Sequence, residues 1–189
     1  TAVVRFKIHR GLTERCSEIG NKNIPLSVTN KAKKKTTIKY DTMKQKQEEK
    51  HFLNLSGEYG VCAELAKRQI NSSLTYGNHK AADVMVINPE TRKALVIEVK
   101  TTKSNRIVTG FFQKYKTRVT PHPDFWVVVH IDKDNYSNYY VLTHDEMSKI
   151  QMARNGMTEW NHVNGVDNIL LEHIKTYKND WEKIKSFLV

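Results

Sequence analysis

The chain is poor in the residues that staple, break or anchor a fold. Its 189 residues hold two cysteines, Cys16 and Cys62, four prolines and eight glycines. Two cysteines make neither a disulfide framework nor a zinc pattern. A reducing compartment, the cytoplasm, is therefore the expected location, and Cys62 reads as a core residue on a helix. No apolar stretch approaches the ~20 residues of a membrane span, and no secretory h-region occurs, so no membrane association is expected. The histidines lack the H-E-x-x-H spacing of a metalloprotease, and no Gly-rich phosphate loop is present. Internal repeats are absent. Acidic residues are outnumbered, with 31 Lys+Arg against 20 Asp+Glu and a formal charge of +11. That balance favours a polyanionic partner, most simply nucleic acid. Its plain alternative is a generally solvated basic surface.

What is there suits one domain with a small extension, long enough to bury a core. Residues 1–44 read as a basic N-terminal extension and 45–189 as the main domain. In the extension, Val4, Phe6 and Ile8 alternate with Arg5 and Lys7 as in a short strand. Asn21 to Asn30 is turn-rich, and Thr36 to Tyr40, after the run Lys31-Ala32-Lys33-Lys34-Lys35, reads as a second strand. In the main domain a helix entrance is expected at Ser56-Gly57-Glu58, with Val61, Cys62, Leu65 and Ala66 on one apolar face. Glu58 projects from that face, and Glu64 is expected to face solvent. A short strand is expected near Leu74. Asp83–Ile87 and Ala94–Val99 follow as apolar strands around a Pro89-Glu90-Thr91 turn, and Phe125–Ile131 is the strongest strand. Their near-continuous apolar runs imply a sheet covered on both faces. Phe111 to Lys116 reads as a short helix, Tyr139–Leu142 as a strand, and Thr143 with Glu146 as a helix capping box. The segment through Ile174, Tyr177, Trp181 and Ile184 has helical spacing, and Trp160 and Trp181 read as packing residues.

The charges that end the two apolar strands carry the chemistry. Asp83 opens one strand, and Glu98 and Lys100 close the next. Glu98 and Lys100 share a side because strand side chains repeat every two residues. Phosphodiester hydrolysis needs an activated water and a neutralised phosphate. Mg²⁺ prefers oxygen ligands and keeps several waters, so two carboxylates can suffice. Asp83 and Glu98 are the expected ligands, the Val99 carbonyl a further one, and Glu58 a third carboxylate from the helix. Lys100 is placed to orient or help deprotonate the water and to offset charge on the phosphorane. Taken singly, each has an ordinary explanation: a strand-edge acid, an exposed ion pair, or, for Glu58, the dipole of a helix N-terminus.

Asp83, fourteen intervening residues and Glu98-Val99-Lys100 together resemble the PD-(D/E)XK nuclease superfamily, also called restriction-endonuclease-like. Gly57-Glu58-Tyr59-Gly60-Val61 resembles the acidic residue on that family's first core helix. Ala82 stands where the motif has proline. The resemblance covers Glu58 to Leu142. It implies an α/β fold with a restriction-endonuclease-like central mixed sheet flanked by helices. It also implies metal binding by Asp83 and Glu98, catalytic assistance from Lys100 and an auxiliary role for Glu58.

The function expected from these residues is Mg²⁺-dependent endonuclease action on DNA, with Mn²⁺ as a substitute, in restriction, defence or repair. A Holliday-junction resolvase or structure-specific nuclease is the nearest rival. A non-catalytic nucleic-acid-binding protein, or an RNA-binding accessory domain, is the alternative from another class. Cutting both strands with one site per chain would call for a homodimer; a lone chain would nick. Lys103, Arg106, Lys114, Lys116 and Arg118 are the candidate phosphate contacts. Gln113 and Lys114 are expected on a mainly solvated helix face, with the cleft as their other option.

Overall fold

The computed structural model describes residues 26–75, 82–115, 121–158 and 165–189. The strand expected at Val4 to Ile8, and Cys16, Lys116, Arg118 and Trp160, lie outside them. The chain divides into two compact units, Thr1–Met43 and Lys44–Val189. The described backbone of the first is helical from Leu26.

Helix α1 spans Leu26–Lys67. Two expectations are corrected here. Thr36 to Tyr40 is helix, not strand, and the turn-rich reading ends at Leu26. From Leu26 to Ser56 there is neither Gly nor Pro, and Lys, Gln and Glu are abundant. Those residues lose little rotamer freedom in a helix, which outweighs five residues of strand-like alternation. The entrance expected at Ser56 is likewise helix interior. Gly57 costs a helix about 1 kcal/mol relative to Ala, and the continuous helix absorbs it.

The second unit is built on a mixed five-stranded sheet flanked by helices. Its strands are β1 (Ser72–Leu74), β2 (Val84–Ile87), β3 (Ala94–Thr102), β5 (Phe125–Ile131) and β6 (Ser137–Thr143); β4 (Arg106–Val108) and β7 (Asn168–Leu170) form a separate pair. The large sheet runs β1-β2-β3-β5-β6. Only β3 and β5 are parallel; the other neighbours are antiparallel. Short helices α2 (Phe111–Lys114), α3 (His144–Arg154) and α4 (Glu182–Leu188) and a 3₁₀ helix (Leu171–Tyr177) complete it. Asn179, in the left-handed region at φ 56°, helps part that 3₁₀ helix from α4. The single helical stretch expected there is therefore two. Among the described residues no helix is long and apolar enough to cross a membrane.

Both faces of the sheet are covered, as the apolar runs imply. Ile97, Val99, Val127 and Val129 pack with Val61 and Leu65 of α1 and with Trp181 and Ile184. Trp126, Val128 and Leu142 face the other way, against Ile107, Phe111, Tyr115, Met147 and Ile174. Fully burying one such aliphatic side chain contributes about 1.5–3 kcal/mol. Cys62 is half-buried at the edge of the first layer, while Ala66 is exposed rather than on the apolar face. The Thr143–Glu146 capping box forms in both directions, and Trp181 is buried.

Strand lengths position the candidate site. The last β2–β3 pair is Val84↔Ile97, whereas β3 stays paired with β5 out to Thr102. Residues 98–102 of β3 thus have no strand on the β2 side among the described residues. This leaves a notch in the sheet. Asn88 Oδ1 accepts from the backbone N–H of Glu90 and of Thr91, closing the turn that fixes this register.

Candidate active site at the notch

Asp83 lies at the corner of the notch, one residue before β2. Its backbone N–H donates to the Ile97 carbonyl at 3.0 Å. Its carboxylate Oδ2 accepts from the Val99 N–H at 2.7 Å. That bond holds the carboxylate beside the β3 backbone between Glu98 and Lys100. Val99 therefore faces the notch edge with its N–H, and its carbonyl, the expected further ligand, lies on the same edge of the strand.

Glu98 is 2 % exposed. Its Oε1 accepts from Lys100 Nζ at 2.5 Å and from Lys114 Nζ. A buried carboxylate needs such partners, because an unpaired charge in the interior costs several kcal/mol. Lys100 also lies 5.9 Å from the ring centre of Trp126. The Trp126 indole donates to His144 Nδ1 at 3.2 Å, and His144 stacks on His122 with ring centres 4.0 Å apart. Burial and the neighbouring His122 lower the His144 pKa to about 4, so His144 accepts the indole N–H as a neutral ring. His122 lies in a loop and His130 on β5.

Glu58 reaches the notch from α1. Its helix lies very close to β3: a Cβ placed on Gly57 would sit 1.8 Å from Thr101 Oγ1. At Gly60 a Cβ would come within 2.6 Å of the Tyr139 hydroxyl. Only residues without side chains allow this approach, and Glu58 is carried between them. Burial, then the Asp83 charge, pushes the Glu58 carboxyl above the ordinary range, with Lys100 acting in the opposite direction. Asp83 is raised as well, by burial and then by Glu98, against the Val99 N–H and the two lysines. Glu58 is thus electrically coupled to the other three. Its position inside a continuous helix removes the helix-terminus explanation for an acid there. Glu64 does not face solvent freely; it is largely covered and pairs with Lys67 and Arg68.

The other candidates divide. Lys114 points into the notch, while Gln113 is exposed. Lys103 is exposed just past β3. Arg106 is exposed and its Nε donates to Asn168 Oδ1 at 3.2 Å on β7, apart from the acid cluster. Sequence reasoning missed Tyr115, whose phenol is raised by burial and then by Glu98 and Asp83. It follows Lys114 directly, and a four-residue helix is too short to reveal which way either side chain turns.

Among the described residues no group of three His, Cys, Asp or Glu side chains is arranged to hold a metal ion. Mg²⁺ does not need one, since one or two carboxylates, with waters and substrate phosphate, commonly suffice. Asp83, just before β2, and Glu98, on β3, are two oxygen donors; the Glu98 charge disfavours ionisation at Asp83, and a divalent cation would relieve that repulsion. The donor set fits a hard cation of this kind. Against known proteins, no family model matches the chain, and neither a curated protein nor a solved structure was found to be similar to it.

Proposed function

We propose that the chain is a divalent-metal-dependent endonuclease with a PD-(D/E)XK-type site in a restriction-endonuclease-like fold. The carrying observation is the convergence of Asp83, Glu98 and Lys100 at the notch, with Lys114 and Glu58 turned to the same place. Three acids and two lysines in one recess of a basic protein suit a metal and a polyanion that must be both neutralised and attacked.

In this reading Asp83 and Glu98 hold the metal, and Glu58 stands by as an auxiliary acid. When bound, Mg²⁺ supplies Lewis-acid charge to the phosphate and to the attacking water. Lys100, an ammonium directed by Glu98, orients that water and offsets charge gathering on the phosphorane. Lys114 balances Glu98 from the opposite layer and is released towards phosphate as substrate enters. Lys103 and Arg106 contact the nucleic-acid backbone on either side. DNA is the proposed substrate and the cytoplasm the proposed location.

The test is plasmid cleavage with Mg²⁺ or with EDTA, using wild type, Asp83→Ala and Lys100→Ala. Cleavage should require the metal and be lost in both variants. Metal-dependent cutting that survives both substitutions would sink the site. A non-catalytic nucleic-acid-binding protein is the second reading, favoured by one observation: both lysines already satisfy Glu98. Tight binding with no cleavage of any DNA or RNA would select it.

A further inference from the structure

A groove adjoins the notch, and its lining differs in kind from the acid cluster. It encloses about 820 Å³ between α1, the end of β3 and the β5–β6 turn. Lys46, Lys50 and Lys103 line it, with Phe52 and Ile131, against one acid, Glu49. The three lysines are exposed and make no ion pair among the described residues. Phe52 is 67 % exposed, and Tyr136, 72 % exposed, sits in the adjoining turn. The Phe52 ring meets His51 at 5.8 Å between centroids and otherwise stands largely in water beside the three lysines, which makes a stacking face available there.

The groove and the notch are built on the same two elements. Ser56 lines the groove two residues before Glu58 on α1, and Lys103 lines it three residues beyond Lys100, just past β3. Helix residues two apart and strand residues three apart turn to different sides, so a nucleic acid held in the groove would reach the acid cluster by bending around α1 or the end of β3.

We infer that this groove holds single-stranded nucleic acid, with Phe52 stacking on an unpaired base and Lys46, Lys50 and Lys103 on the phosphates. The pairing of an exposed aromatic face with free ammonium groups is the chemistry that binds single strands without sequence readout. Base pairs in a duplex hide the faces Phe52 would stack on. The inference deepens the nuclease reading and rests on it for the role of the groove: it directs the site to DNA carrying an unpaired segment, such as a flap or a branch.

The experiment measures binding by fluorescence anisotropy on the full chain carrying Asp83→Asn, with a labelled single-stranded oligonucleotide and a blunt duplex of the same length. The single strand should bind more tightly. Phe52→Ala should weaken it by about 5- to 150-fold, given the ~1–3 kcal/mol of a base–aromatic stack. Phe52→Leu, which keeps apolar bulk without a ring, should behave like Phe52→Ala, and Phe52→Trp should restore binding. Removing each lysine should reduce the salt slope by about 0.7. Unchanged single-strand affinity in Phe52→Ala and in the triple lysine variant overturns the inference. So does a Phe52→Ala variant that loses self-association but not oligonucleotide affinity, which would assign the patch to a second copy. Failure of the nuclease reading looks different: groove-dependent binding persists, while the wild type cleaves neither flap nor duplex.

Discussion

Two clusters in this molecule hold a carboxylate, withdrawn at least in part from solvent, with lysine, and they are in opposite electrical condition. At the α3–α4 contact, Glu146 Oε1 accepts from Lys183 at 2.7 Å and its Oε2 from the Thr143 N–H at 2.8 Å. Lys183 also pairs with Asp180 at 3.0 Å. Burial opposes both charges there, yet the Lys183 and Thr143 hydrogen bonds leave Glu146 below its ordinary pKa, and its two acids leave Lys183 above. The Glu146 and Lys183 charges are both more comfortable folded than unfolded. At the notch, burial and like charge leave Asp83 and Glu58 above theirs. The first cluster has the character of structure. The second holds charge that the fold does not need, which is the condition of a site prepared for something it binds.

Substitution should separate the two most sharply in activity. Lys100→Met is expected to slow plasmid cleavage by about 10²–10³-fold, as for loss of one preorganised transition-state donor. Lys183→Met should leave single-turnover cleavage unchanged. Equal effects would erase the distinction.

Metal supplies the next contrast. Mg²⁺ at a hundred times its Kd should stabilise the wild type by about 2.7 kcal/mol, read as a rise in Tm that EDTA reverses. Asp83→Ala should abolish the rise, and Lys183→Met should keep it.

Packing at the notch is tested by Gly57→Ala. Helix propensity alone favours alanine by about 1 kcal/mol. The added Cβ meets Thr101, and overpacking of this kind costs about 1–3 kcal/mol. A net loss of stability is expected in denaturant melts, together with slower cleavage as Glu58 is displaced. A more stable Gly57→Ala would show that the helix can lift without consequence.

The smallest effects concern pH and surface pairing. Asp83 is raised when folded, so its contribution favours the fold below its ordinary pKa and is lost as pH rises through the folded value. In EDTA at neutral pH, Asp83→Asn should therefore melt above wild type, with the gap narrowing on acidification. Glu146 is lowered when folded, so its contribution is present above its ordinary pKa and is lost as pH falls through the folded value. Glu146→Gln should melt below wild type, and that gap should also narrow in acid. Lys183→Met, a partly exposed pair, should cost about 0.2–1 kcal/mol.

Much of this was legible in the chain. The apolar runs of β2, β3 and β5 announced a sheet covered on both faces, and Thr143 with Glu146 announced a capped helix. Period two placed Glu98 and Lys100 on one side of β3. What stayed hidden had physical reasons. β4 and β7 have three residues each, too few for any period to emerge. The sequence points to a helix entrance at Ser56-Gly57-Glu58, whereas Gly57 lies inside α1 as a contact point with Thr101. Lys114 and Tyr115 turn into the notch through tertiary packing of Phe111 that no local spacing records.

The notch has a consequence for solubility. A strand edge left open is a template on which another chain can pair. β3 outruns β2 by five residues, and on that stretch Glu98, Lys100 and the Asp83 carboxylate stand where a foreign strand would dock. The charges proposed for chemistry thus also guard the edge. Variants that neutralise all three should lose more than activity: they should leave the β3 edge unguarded and aggregate as they fold.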